Sequence, residues 1–237
     1  MKSLFKYTEE RSKVVNIIIC ILSFVCLLLV PGLVALLLDK IIKNEMIVTL
    51  ISNIILCAIL YLLYFKDLNK EFNIYKGDFK NNFKKGFKIY VLGFMAMIFF
   101  NLLIVSFLKN ISSNEEQVRE MLYSNVFITM LCISITAPLS EEIIFRKSLQ
   151  PIIKNKVVYA LCCGLLFGFA HILTNILGGS FALTDLFYIL PYGSLGFAFA
   201  IMDYETKTTF TSMIMHSIHN TATGILLLIT YFGGFIK

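Results

Sequence analysis

The chain has 237 residues, 58% of them hydrophobic and only 15% charged, with a formal net charge of +6 and a mean hydropathy of +0.80. Soluble domains carry about 25% charged residues, and a soluble fold of this size could not hide so much apolar side chain, nor would a disordered chain carry it. A polytopic membrane protein is what remains.

Uncharged runs cover Val14–Leu38, Met46–Phe65, Ile89–Leu108, Met121–Ser140, Val157–Thr184, Leu186–Met202 and Thr208–Ile236. All but the sixth reach the ~20 residues that a helix needs to cross hydrocarbon. Lipid offers no partner to an open backbone, and no barrel-like alternation is visible, so the runs read as helices. The expected fold is an all-α bundle of about seven to eight spans, organised as one membrane domain. Residues 1–120 form its N-terminal spans and residues 121–232 a C-terminal core.

The first run follows the basic segment Met1–Lys13 and lacks a small-x-small cleavage site before Asp39, so it reads as an uncleaved first span interrupted by Pro31 and Gly32. Alternating the loops from a cytoplasmic N-terminus puts Lys66–Lys88, Arg146–Lys156 and Lys207 inside as well, and leaves Lys40, Lys43, Lys109, Arg119 and Lys237 outside. That asymmetry predicts an N-inside protein of the cell membrane. The six cysteines all lie within apolar runs and read as packing residues.

Between the second and third runs, Phe72, Tyr75, Phe79, Phe83 and Phe87 recur at three- and four-residue steps, with Lys76, Lys80, Lys84 and Lys88 beside them. The pattern predicts an amphipathic helix over 66–88 lying in the headgroup layer against anionic lipid. A nucleic-acid partner is not expected, because the apolar stripe needs lipid or protein to cover it.

Ionisable groups at membrane depth are costly, and they concentrate in the last four runs. In Pro138-Leu139-Ser140-Glu141-Glu142-Ile143-Ile144-Phe145-Arg146, Glu142 and Arg146 stand four apart and can pair, leaving Glu141 pointing about 100° away. His171 ends Phe167-Gly168-Phe169-Ala170-His171, and His216 and Asn220 lie one turn apart with His219 near the same edge. Taking Lys156 as a turn, Glu141 and His171 each lie roughly 22 Å along their helices from it, and His216 lies roughly 14 Å beyond Lys207. One carboxylate, two histidines and an amide at similar depth are hard to explain as packing. An ion or proton transporter would also use such groups, but no repeat halves or paired broken helices are visible.

The order Glu141-Glu142-xxx-Arg146, Phe167-xxx-His171 and His216-xxx-Asn220 on successive membrane helices resembles the three motifs of the CPBP (Abi) intramembrane proteases, which include the type II CAAX prenyl endopeptidases. The resemblance covers about Met121–Tyr231, and Lys147 stands where many relatives have glycine. It implies an endopeptidase acting on a membrane-associated or lipidated peptide or protein. Glu141 would be the base and His171 would hold the water or orient Glu141, while His216 and Asn220 would stabilise the oxyanion. Glu142 and Arg146 would be a supporting pair, with His219 outside the site. Family members are often named metalloproteases, and Glu141, His171 and His216 are an acceptable zinc set. The chain has no HExxH motif, and the expectation is no tightly bound zinc. The alternative from another class is a non-catalytic membrane partner, such as a bacteriocin-immunity or regulatory factor using the same fold.

Overall fold

A computed structural model describes residues 11–109 and 111–233, so most of the basic N-terminal segment and Lys237 lie outside the described residues. Within them the regular structure is entirely helical. Six helices are long and apolar enough to cross a membrane: α1 (Lys13–Leu38), α2 (Glu45–Gly77), α3 (Phe79–Leu108), α5 (Val126–Lys147), α8 (Leu183–Thr206) and α9 (Thr209–Phe232). Three shorter helices are α4 (Ser113–Ser124), α6 (Lys156–Ala170) and α7 (Leu173–Leu177).

Helix starts follow side-chain caps. Ser12, Asn44, Ser112, Asn155 and Thr208 each accept from a backbone N–H of the first turn of α1, α2, α4, α6 and α9, satisfying donors that lipid would leave orphaned. α3 and α8 stop at Lys109 and Lys207, both left-handed, with φ of 56° and 60°.

Two expectations change. Segment 66–88 is not a separate interfacial helix, because α2 runs to Gly77 and α3 begins at Phe79, with a single break at Asp78. The aromatic stripe is split between the two helix ends: Tyr75 is buried against Phe210, while Phe72, Phe79 and Phe87 stay exposed. The run Val157–Thr184 is not one span either. α6 ends after 15 residues, because the His171 ring Nδ1 lies 2.8 Å from the Phe167 carbonyl while the His171 backbone N–H moves to Gly168. A histidine side chain that takes the i−4 carbonyl closes the helix there.

Burial runs opposite to that of a soluble bundle. In α1 the buried residues are Asn16, Cys20, Ser23 and Val34, while Val14, Leu28, Leu36 and their neighbours face outwards. Small and polar side chains line the helix contacts and large apolar ones meet lipid, as membrane packing requires. α6 and α8 approach closely backbone to backbone: a Cβ on Gly168 would stand 2.5 Å from the Ile189 carbonyl oxygen, and one on Gly164 2.7 Å from that of Gly193.

At one end of the bundle a buried polar network ties five segments. Lys147 donates to Glu71 and, at 3.0 Å, to Gln150 Oε1; Gln150 donates to Asp203 Oδ2 at 3.0 Å. The Tyr159 hydroxyl donates to Asp203 Oδ2 at 2.7 Å, and the Thr209 hydroxyl to Asp203 Oδ1 at 2.8 Å. The Thr209 backbone N–H closes the ring on Glu71 Oε2 at 2.8 Å. Every residue of this network is buried.

Candidate active site

α5 carries the acidic motif through two π-helical turns, Cys132–Thr136 and Ile143–Lys147. The first has a sequence cause. Ala137 N–H bonds to Cys132 O, so the next carbonyl in that pattern, Ile133, would take its hydrogen from residue 138. Residue 138 is proline and has none. Asn220 of α9 fills the gap, with Nδ2 donating to Ile133 O at 2.8 Å. One amide N–H of Asn220 is therefore engaged in the fold and the second is free for other work.

Beyond Pro138, Glu142 and Arg146 are completely buried and paired, with Arg146 Nη1 3.1 Å from Glu142 Oε1. Arg146 Nη2 also donates to Gly196 O at 3.1 Å, and its guanidinium lies 4.6 Å over the Phe167 ring and 5.5 Å over Phe199. A buried charge of this kind stands only with such partners. Glu142 Oε2 and Arg146 Nε have no hydrogen-bond partner among the described residues.

His216 joins the two carboxylates. Its Nδ1 is 2.9 Å from Glu142 Oε1, and its Nε2 is 3.7 Å from Glu141 Oε2. With Nδ1–H donating to the Glu142 carboxylate, neutral His216 presents a bare Nε2 towards Glu141. The ring is stacked on Phe199, with centroids 4.8 Å apart. Glu141 keeps 24% of its side chain exposed, whereas Glu142 has none. The separation at 3.7 Å is too long for a direct hydrogen bond.

His171, expected deep in a continuous span, caps the end of α6. Its Nδ1 is turned to the Phe167 carbonyl, which leaves Nε2 as the open nitrogen. Phe167 touches both histidine rings, with centroids 4.5 Å from His171 and 5.7 Å from His216. No hydrogen bond or ion pair joins His171 directly to Glu141 among the described residues. His219 lies apart, 3.1 Å from the Tyr90 hydroxyl and packed against Phe94.

Reading the sequence alone missed the aromatic frame. Phe199, Gly196 and Tyr192, all on α8, contact His216, Arg146 and His171 respectively. The visible signal was the run Pro191-Tyr192-Gly193 with Gly196, which marks a close helix approach and does not announce ring contacts. Beside this frame an apolar groove of about 520 Å³ opens between α3, α6 and α8, lined by Gly93, Ala96, Leu165, Gly193 and Phe197 among others.

A metal would need three ligands in one place. Among the described residues no three His, Cys, Asp or Glu side chains gather to hold one. Glu141, His171 and His216 do not fit as a ready ligand set in this arrangement, although both open Nε2 atoms have the right chemistry.

Comparison with known proteins bears on the same segment. An uncharacterized protein of Mycoplasma capricolum subsp. capricolum is 25% identical over 179 residues, 67% of this chain and 50% of that one. A Bacillus subtilis protein titled "Putative membrane peptidase YdiL" is 28% identical over 120 residues, 49% of this chain and 44% of that one. The chain thus spans about half the length of the curated relatives it matches. No solved structure matches it significantly. Residues 123–222 match the family described as type II CAAX prenyl endopeptidase Rce1-like. The matched segment holds Glu141, Glu142, Arg146, His171, His216 and Asn220 and is similar to the Rce1-like family.

Proposed function

We propose that the protein is an intramembrane endopeptidase that hydrolyses a peptide bond in a membrane-associated or lipidated peptide or protein. The observation that carries this reading is the facing pair Glu141 and His216, 3.7 Å apart, with the far nitrogen of His216 fixed on Glu142. Glu141, the more exposed of the two carboxylates, takes a proton from water as general base. His171 accepts a second hydrogen bond from that water through its open Nε2. The attacking oxygen adds to the scissile carbonyl, and the negative charge moves to the carbonyl oxygen.

That oxyanion needs donors. The free N–H of Asn220 supplies one. His216, when it carries on Nε2 a proton drawn from solvent, supplies another while Nδ1–H stays on the Glu142 carboxylate. Arg146 holds Glu142 in place and stays out of the chemistry. Glu141 then returns its proton to the leaving amine. The scheme runs on the chain's own groups without a tightly bound zinc. The apolar groove along α3, α6 and α8 suits the hydrocarbon of a lipidated substrate. The protein works in the cell membrane with the N-terminus and the Lys66–Lys88 corner on the cytoplasmic side.

The test compares peptides in membranes and medium of cells making the wild-type chain, E141A or H171A at matched protein levels. Peptides that accumulate uncut with both variants identify the substrate, and their synthetic versions should be cut by the wild-type protein in proteoliposomes. Full cleavage by either variant removes the site. A phenotype that survives E141A at normal protein level transfers the function to binding. Stoichiometric zinc in the purified protein, lost in H171A, overturns the metal-free scheme.

A further inference from the structure

His171 stands where a helix has just ended. Nothing in the backbone beyond it fixes the ring, and rotation about its Cβ–Cγ bond would carry Nε2 away from the site. Three contacts hold it: the Phe167 carbonyl at Nδ1, the Phe167 ring, and the Tyr192 ring. The last is a face-on stack, with centroids 4.1 Å apart and planes within 19°. Tyr192 reaches that position because glycines let α6 and α8 approach closely at Gly164, Gly168 and Gly193.

Tyr192 is itself tied from another direction. Its hydroxyl is 2.7 Å from Ser112 Oγ and 3.3 Å from Asn114 Nδ2. Ser112 is buried and caps α4, accepting from the Glu115 N–H. The connection continues through Ser113, which donates to Asn175 at 2.6 Å, and Asn175, which donates to Asp185 at 3.0 Å. The start of α4 and the segment after His171 are thus bonded into one cover over the ring pair.

We propose that Tyr192 is a positioning residue that sets the plane of the His171 imidazole, with Ser112 as the tether that sets Tyr192. The proposal rests on His171 acting in the site described above, but the coupling between the two rings can be measured without any substrate. The chain has three histidines, so the imidazole signals of histidine-labelled full-length protein in micelles form a three-member spectrum, assignable with His→Gln variants.

A stacked aromatic face shields the protons above it. Y192L should move the His171 ring-proton signals downfield and leave His219, which packs on Tyr90 and Phe94, unmoved. Y192F keeps the ring but loses the bond to Ser112, so the His171 signals should stay upfield of those in Y192L while shifting or broadening relative to wild type. An unmoved His171 in a folded Y192L protein overturns the proposal. Should Y192L fail to fold, read as a displaced His219, S112A decides: His171 must shift or broaden while His219 holds, and a wild-type His171 signal overturns the tether and the proposal with it. In cleavage assays Y192L should lower kcat about tenfold or more with KM little changed, as misorientation of a reacting group does, and Y192F should fall between Y192L and wild type. Intact cleavage in H171A would sink the protease site while leaving the ring coupling measured in the spectra untouched.

Discussion

Two polar clusters are buried in this bundle, and they are built to opposite rules. In the network of Glu71, Lys147, Gln150, Tyr159, Asp203 and Thr209, no buried side-chain polar atom lacks a partner, and charges of both signs are locked together. In the cluster of Glu141, Glu142, Arg146 and His216, Glu142 Oε2 and Arg146 Nε are unpartnered, Glu141 is partly exposed, and His216 meets it across a gap. A saturated network has nothing left to offer a substrate and holds helices in register. An unsaturated one keeps donors and acceptors ready, at a standing cost in stability.

Substitutions should separate the two clusters by what they change. In the open cluster E141Q should lower cleavage by about 10²–10⁴-fold, the usual worth of a general base. The same variant should leave thermal unfolding in detergent close to wild type, because Glu141 is not a saturated partner. A folded E141Q protein with undiminished turnover would erase the distinction.

Next in size are the buried ion pairs. R146A leaves Glu142 buried without its countercharge and should destabilise the protein by about 3–5 kcal/mol. Loss of activity there reports folding, and the check is whether the remaining folded fraction still cuts. K147M should cost stability on the same scale by stranding Glu71. The double variant K147M/E71Q should recover part of it, since removing both charges is gentler than removing one. Turnover per folded molecule should stay unchanged in that pair, and a fall in turnover at full stability would join the network to the chemistry.

Asn220 belongs to both clusters in kind. N220A strands the Ile133 carbonyl and should cost about 1–3 kcal/mol in unfolding, in addition to its effect on the oxyanion. A loss of turnover with unaltered stability would mean that the bond to Ile133 is idle. Smallest of all, G32A should change stability by about 1 kcal/mol or less, because nothing lies within 4 Å of a Cβ at that position. G168A, by contrast, meets the Ile189 backbone at 2.5 Å and should push α6 from α8 beside His171.

Much of this was legible in the sequence, for physical reasons that can be stated. Uncharged runs of membrane length fix helices, because a backbone in hydrocarbon has no alternative. The i, i+4 spacing of Glu142 and Arg146 fixed their pairing, since one helix turn sets that distance whatever surrounds it. The break at His171 was not legible, because it comes from a side chain competing for a backbone carbonyl inside a run without charges. The split of 66–88 at Asp78 was hidden for a similar reason: the aromatic spacing suits any helix, separate or continuous.

The sequence alone determined the membrane class, the helices and the residue types available for chemistry. Only the tertiary structure decided that His216 spans two carboxylates, that Asn220 answers a carbonyl orphaned by Pro138, and that Tyr192 lies on His171. Each of these joins residues from different helices, and their meeting depends on how closely and at what rotation the helices pack. Local periodicity carries no information about either quantity.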